Sequence, residues 1–340
     1  MTVTTIGIDL AKSVFQLHGV DDAGTVVIRR KLRRSAVLAF LRDLPPCLIG
    51  MEACATAHFW AREIGGLGHE VRLIPPAYVK PYVQRQKNDA ADAAAICEAV
   101  TRPHMRFVPV KSAERQAVLM LHRSRDLLMR QRTMLLNAVR SHLAEFGIIT
   151  AQGPQKVLIL IRAIQAGEVA GLPQMAITVL DSLATQLDSL GDEIRRLERQ
   201  LRAWYRTDDA SQRLATIPGI GLITATALAA SVPDPGIFQN GRQFAAFLGL
   251  VPRQSSSGGK ERLGRISKMG DGYLRRLLVV GATAVMRRAG DNSTATGAWI
   301  RGLQERKPAR LVSVAIANKT TRIAWAILAR GEVYRAPLSA

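Results

Sequence analysis

Lys87-Asn88-Asp89-Ala90-Ala91-Asp92 opens an alanine-rich run, residues 90–99, that reads as a helix. Two aspartates three apart share one helical face. Acids also suit a first turn, where the helix dipole is positive. Taken alone they are ordinary first-turn residues. Two acids upstream change the reading: Asp9, inside the apolar run Thr5-Ile6-Gly7-Ile8-Asp9-Leu10, and Glu52, directly after Leu48-Ile49-Gly50-Met51. A carboxylate in or just past a buried strand is costly unless it is paired or binds a cation. Two strands and one helix thus deliver three acidic sites, the pattern of a carboxylate cluster for a divalent metal.

The bulk numbers point to a polyanionic partner. The chain has 340 residues, 48% of them hydrophobic, and a net charge of +20. A soluble domain is colloidally stable with far less charge, so nucleic acid is the expected partner. The charge is uneven. Residues 1–150 hold 21 basic and 13 acidic residues, residues 151–205 hold 6 of each, and residues 206–340 hold 20 and 8. Two basic blocks joined by a neutral spacer predict three parts with those boundaries. Cys47, Cys54 and Cys97 are odd in number and lack the C-x-x-C spacing, which argues against a disulfide framework or a zinc knuckle. The N-terminus carries no signal-like pattern and no run suggests a membrane span, so a cytoplasmic protein is expected.

In chain order, residues 4–10, 14–20 and 25–31 read as a three-stranded meander, with a turn at Asp21-Asp22-Ala23-Gly24. Helix 35–44, strand 47–51, helix 56–67 and strand 71–74 follow. A meander followed by alternating helices and strands predicts a mixed α/β sheet, not a doubly wound one. A long helix over 112–146 carries Arg115, Arg123, Arg125, Arg130, Arg132 and Arg140, which read either as a solvated face or as a phosphate-facing stripe. Leu180, Leu183, Leu187, Leu190, Ile194, Leu197, Leu201 and Trp204 then recur at alternating steps of three and four. That is a heptad seam. It predicts a coiled-coil spacer that pairs copies of the chain, against the alternative of a long helix packed within its own chain.

The last third is helical and glycine-punctuated. Ile217-Pro218-Gly219-Ile220-Gly221 is a turn between helices whose N–H groups either hold a phosphate or simply pack. Ser255-Ser256-Ser257-Gly258-Gly259 reads as a flexible basic loop, flanked by Arg253, Lys260, Arg262 and Arg265. Its serines could equally present a hydroxyl to a scissile phosphate. Lys268, Arg275 and Arg276 follow and add to a candidate nucleic-acid surface that also takes in Arg123 and Arg130.

The strand order and the placement of acids resemble the ribonuclease H-like nucleases, specifically the RuvC-like branch. The whole chain resembles more closely one family, the DEDD transposases of the insertion-sequence 110 family, which are bridge-RNA-guided recombinases. The residues that carry the resemblance are Gly7-Ile8-Asp9, Glu52-Ala53-Cys54, Lys87 to Asp92, Gly249-Leu250-Val251-Pro252 through Ser256-Ser257-Gly258, and Gly264-Arg265-Ile266-Ser267-Lys268. The wording of residues 264–271 is closer to the subgroup whose elements carry sub-terminal inverted repeats.

The resemblance implies an RNase H-like domain over 1–150, a linker and coiled coil over 151–205, and a helical transposase domain over 206–340. It implies that Asp9, Glu52, Asp89 and Asp92 hold one or two Mg²⁺ ions. It also implies that Ser257, with Ser256 as the alternative, attacks a DNA phosphate to give a covalent intermediate. Donor DNA, target DNA, a structured non-coding bridge RNA and further copies of the chain, as dimer or tetramer, are the implied partners. Two other readings stay open. A RuvC-like junction resolvase or nuclease using water makes the serines dispensable, and a non-catalytic architectural protein makes Asp9 dispensable.

Overall fold

The computed structural model describes residues 2–83, 88–289 and 294–336. Lys87 lies outside these. The chain divides into two compact units: residues 1–116 with 230–243, and residues 117–229 with 244–340. The boundaries expected at 150 and 205 both fall inside the second unit.

The first unit is built on strands β1 (Thr5–Leu10), β2 (Val14–Val20), β3 (Val26–Arg33), β4 (Leu48–Glu52) and β5 (Glu70–Ile74). Their order across the sheet is β3-β2-β1-β4-β5. The meander pairs antiparallel, and β1, β4 and β5 pair parallel. This is the mixed sheet that the sequence predicts. Alternation along the strands sets its two faces. Ile6, Ile8, Phe15, Leu17, Ile49 and Met51 are buried on one face, with Val37 and Leu41 of α1 (Val37–Arg42) and Trp60 and Ile64 of α2 (Ala57–Gly65). Fully burying six such side chains removes on the order of 10 kcal/mol of apolar exposure. A short α3 (Pro76–Val79) leads toward α4 (Asp89–Val100), which lies on the opposite face. There Ile96 and Val100 pack with Ile74 and Val79.

In the second unit α5 (Ala113–Ala144, begun in the first), α6 (Pro154–Gln165) and α7 (Gln174–Thr207) share one core. It is made by Leu136, Val139 and Leu143, by Val157, Ile161 and Ile164, and by Leu180, Ala184 and Leu187. Leu180, Leu183 and Leu187 of the heptad seam are therefore covered within the chain. Leu180, Leu187, Ile194, Leu197 and Leu201 are all buried. The periodicity is real, and at Leu180 and Leu187 the residues it packs against belong to α5 and α6 of the same chain. The physical reason is that a heptad stripe specifies an apolar ridge of matching pitch, and any helix with a complementary ridge can cover it.

The remaining helices are α8 (Asp209–Ala215), α9 (Leu222–Ser231), α10 (Gly241–Phe247), α11 (Gly272–Arg287), α12 (Ala295–Gln304) and α13 (Ala309–Arg330). The turn at Gly219 packs on α11: a Cβ at Gly281 would sit 1.9 Å from the Gly219 carbonyl oxygen. Helix α13 is long and apolar enough to cross a membrane by length and composition. It is instead a core helix of its unit, with Val312, Ile316, Ala317, Thr321 and Ala324 buried and Asn318 Nδ2 donating to the Leu250 carbonyl at 3.1 Å.

Candidate metal centre and serine hairpin

Asp9 is the fifth residue of β1 and Glu52 the last of β4. The two strands are parallel with Ile8 beside Met51, so the two acids follow side by side. Each stands two residues after a glycine, Gly7 or Gly50, and so shares that glycine's face. Those glycines decide how close α4 comes. A Cβ at Gly7 would lie 2.2 Å from the Ala93 carbonyl oxygen and 2.4 Å from the Cys97 nitrogen. One at Gly50 would lie 2.8 Å from Val100 Cβ. The helix therefore rests directly on the strand backbones.

Its first turn is fixed as well. Asn88 caps it, with Oδ1 accepting the Ala91 N–H at 2.8 Å, and Asp89 and Asp92 follow in that turn. One carboxylate oxygen each of Asp9, Asp89 and Asp92 lies within 4.8 Å of the other two, with Asp9 and Asp92 half-buried and Asp89 exposed. Glu52 flanks this trio from the next strand and is not one of the three. Both Glu52 and Asp9 lie near enough to Cys54 to act on it: burial raises that thiol first, the negative charge of Glu52 adds to this, and that of Asp9 contributes as well.

An all-carboxylate donor set is hard and anionic, which suits an oxygen-seeking dication and not a soft metal. The convergence of like charges is what such an ion relieves. The sequence points to the acids as candidates, but not to the packing role of Gly7 and Gly50 or to the Asn88 cap. The signal was present: Gly7-Ile8-Asp9 and Gly50-Met51-Glu52 repeat one glycine–apolar–acid spacing on two neighbouring strands.

The serine stretch is a β-hairpin. Strands β6 (Pro252–Gln254) and β7 (Leu263–Ile266) pair antiparallel, and a further bridge joins Ser257 to Lys260. The tip residues Gly258 and Gly259 both take positive φ, 56° and 74°, as a two-residue type I′ turn requires. The three serines are not equivalent. Ser256 Oγ accepts from the Arg262 N–H at 3.2 Å and from Gln254 Nε2 at 3.1 Å. The exposed Ser257 hydroxyl takes no hydrogen bond among the described residues, and only its carbonyl is used, by the Lys260 N–H at 3.1 Å.

The hairpin's base is held firmly. Arg275 donates to the carbonyls of Leu248 (2.9 Å) and Met269 (2.8 Å), and the Ser267 N–H donates to Val251. A Cβ on Gly249 would meet the Met269 oxygen at 2.3 Å.

The other basic candidates divide. Arg123, Lys260, Arg262, Arg265 and Lys268 are exposed. Arg253 is exposed too, with one donor on the Ser267 carbonyl at 3.3 Å. Arg276 and Arg130 both reach Asp126.

A β3-β2-β1-β4-β5 sheet with acids on the adjacent inner strands β1 and β4 and on a helix crossing them fits an RNase H-like enzyme with a divalent-metal-dependent site for nucleic acid. Comparison with known proteins gives the family. Residues 6–148 match the DEDD transposase model of the IS110 group, and residues 211–296 match the family described as transposase IS116/IS110/IS902. A Pseudomonas aeruginosa protein described as a family 20 transposase is 54% identical over 98% of this chain and 99% of its own length. The transposase for IS1328 of Yersinia enterocolitica is 42% identical, covering 98% of both. That for IS1111A of Coxiella burnetii is 41% identical, over 98% of this chain and 92% of its own. The chain belongs to the IS110 family of insertion-sequence transposases and is a DNA-acting enzyme.

Proposed function

We propose that this transposase cuts and rejoins donor and target DNA through a phosphoserine intermediate on Ser257, with the acids Asp9, Glu52, Asp89 and Asp92 supplied by another copy of the chain, and guided by a structured RNA encoded by its element. The observation that carries the reading is the convergence of Asp9, Asp89 and Asp92 oxygens within 4.8 Å of one another. The four acids would hold Mg²⁺, which when bound neutralises charge at the scissile phosphate. The chain's own contribution is to position and present. Packing of α4 on Gly7 and Gly50 fixes the acids. The hairpin offers a hydroxyl whose oxygen is not already occupied, with Lys260 paired across from Ser257 and Arg262 on the same ribbon to balance phosphate charge.

In the step proposed, the Ser257 oxygen forms a bond to phosphorus and the bond from phosphorus to one deoxyribose oxygen breaks. The serine proton leaves and the departing strand oxygen gains one, so phosphodiester energy is kept for rejoining. The exposed cations Arg123, Arg253, Lys260, Arg262, Arg265 and Lys268, together with Arg130, Arg275 and Arg276, are proposed to lie along nucleic acid. Further copies are proposed to complete the working assembly in the cytoplasm.

The test is a labelled DNA substrate nicked so that religation fails. A denaturant-resistant protein–DNA adduct is expected, lost in Ser257→Ala and in Asp9→Asn while both variants still bind DNA. An adduct that survives Ser257→Ala but not Ser256→Ala moves the role to Ser256. Free DNA ends with no adduct overturn the phosphoserine step in favour of hydrolysis.

A further inference from the structure

The sheet face that carries Asp9 is covered by α4 only in part, and its outer half bears a row of cations. Register fixes the placement. Asp9 pairs with Gln16 and Gly7 with His18 on β2, while Gln16 pairs with Lys31, His18 with Arg29, and Val14 with Arg33 on β3. Directly paired residues project to one side, so Arg29, Lys31 and Arg33 share the face of Asp9. Alternation along β3 puts Arg30 on the other face, and its guanidinium indeed lies over the Phe40 ring of α1 at 5.2 Å.

The row is exposed, and none of its three cations forms an ion pair among the described residues. Asp21, at the turn into β3, cannot neutralise it cheaply, since its carboxylate already accepts the N–H groups of Ala23 (3.1 Å) and Thr25 (2.8 Å). Arg29 is close enough to His18 that its charge, after burial, lowers the imidazole's affinity for a proton. Three like charges on one strand that repel each other and their neighbours are stabilised by an anion laid across them.

The geometry points to a track for the phosphates of the DNA strand that enters the acidic pocket, running along β3 at the level of Asp9. Alternate residues of a strand are about 6.7 Å apart, comparable to consecutive phosphates of an extended nucleic-acid strand. Lys31 stands two strand spacings from Asp9, about 10 Å. The polar Gln16 lies between them, so a backbone held on the row has one or two nucleotides to reach the metal site. This inference rests on the reading of that site as one that cuts DNA.

The experiment compares the full chain with the exposed-residue variants Arg29→Gln, Lys31→Gln and Arg33→Gln, singly and combined. Arg30→Gln is the control on the opposite face. The probe is a fluorescent single-stranded DNA oligonucleotide, titrated without divalent metal across a salt series, with duplex DNA and RNA of the same sequence as further arms. Each lost phosphate contact should lower the slope of log affinity against log salt by about 0.7, and the triple variant by about 2, with Arg30→Gln unchanged. A triple variant with the wild-type slope, in a chain that binds DNA, overturns the track and leaves the row as charge guarding an edge strand. A loss confined to RNA overturns the assignment to DNA. A wild-type chain with no affinity for any of the probes overturns the function proposed above as well.

Discussion

Gly7→Ala adds one carbon, and the structure says where it goes. The new Cβ would lie 2.2 Å from the Ala93 carbonyl oxygen, 2.4 Å from the Cys97 nitrogen and 2.8 Å from Cys97 Cβ. Two of these are backbone atoms of α4, which cannot rotate aside as a flexible side chain can. The helix has to lift by about 1 Å, and overpacking of this kind costs about 1–3 kcal/mol. That lift acts on the end of the helix that matters, since Asp89 and Asp92 ride on the first turn of α4 while Asp9 stays on β1. A displacement of about 1 Å in a reacting constellation costs roughly a hundredfold in rate. Gly50→Ala is the internal comparison. Its Cβ meets Val100 Cβ, which is tied to the α4 backbone, at 2.8 Å and the Ile96 and Val100 methyls at 3.1 Å; the clash is shallower than the 2.2 Å at Gly7, so a smaller loss is expected. The assays are Mn²⁺ binding by electron paramagnetic resonance, strand cleavage and thermal unfolding. Gly7→Ala should bind metal more weakly and cleave about a hundredfold more slowly, while still melting cooperatively. Wild-type metal affinity in a folded Gly7→Ala protein would refute the idea that close packing of α4 sets the acidic site.

Two further expectations follow from burial. Replacing Leu187 and Ile194 with aspartate should lower the melting temperature of the second unit, because both side chains are buried and large-to-small changes at such sites already cost about 2–5 kcal/mol each. A folded protein that merely becomes a smaller species in light scattering would show that the seam joins copies after all. The buried His122 should make the second unit acid-sensitive. Its Nε2 lies 3.0 Å from Thr226 Oγ, and that hydroxyl donates onward to the Leu222 carbonyl at 2.8 Å. Nε2 is therefore the protonated nitrogen, and Nδ1 accepts from the Tyr273 hydroxyl at 3.0 Å. Burial first, and then the charge of Arg125, lowers His122 from 6.5 to about 4. A depressed histidine contributes stability in full above pH 6.5 and loses it as pH falls toward 4, about 2 kcal/mol by pH 5. Urea midpoints of wild type and His122→Gln between pH 7 and pH 4.5 check this. Equal pH slopes would refute it.

The legible part of the fold was the part written in short periods. Alternation over β1 and β2, and an acid at the end of an apolar run, identified both the sheet and Asp9 and Glu52. What the sequence left open depends on which surfaces meet. The heptad on α7 fixes a ridge, but nothing in it distinguishes α5 and α6 of the same chain from a second molecule. Gly7 and Gly50 look like two glycines in strands until it is known that a helix crosses that face. Ser257-Gly258-Gly259-Lys260 carries a hairpin signal in its paired glycines, which serine content and charge disguise as a loose loop. The return of residues 230–243 to the first unit depends on contacts distant in sequence, which no local pattern records.

The serine hairpin has one more implication. Its base is anchored by Arg275 and by the Gly249 and Gly270 contacts, yet beyond Gln254 it is a narrow two-stranded ribbon with every residue from Arg253 to Arg265 exposed. Such a ribbon is marginally stable in water by itself. The aim of its tip is then set by whatever surface it is pressed against. If Ser257 is the nucleophile proposed above, it is idle until that surface is engaged, and host DNA met in between is spared.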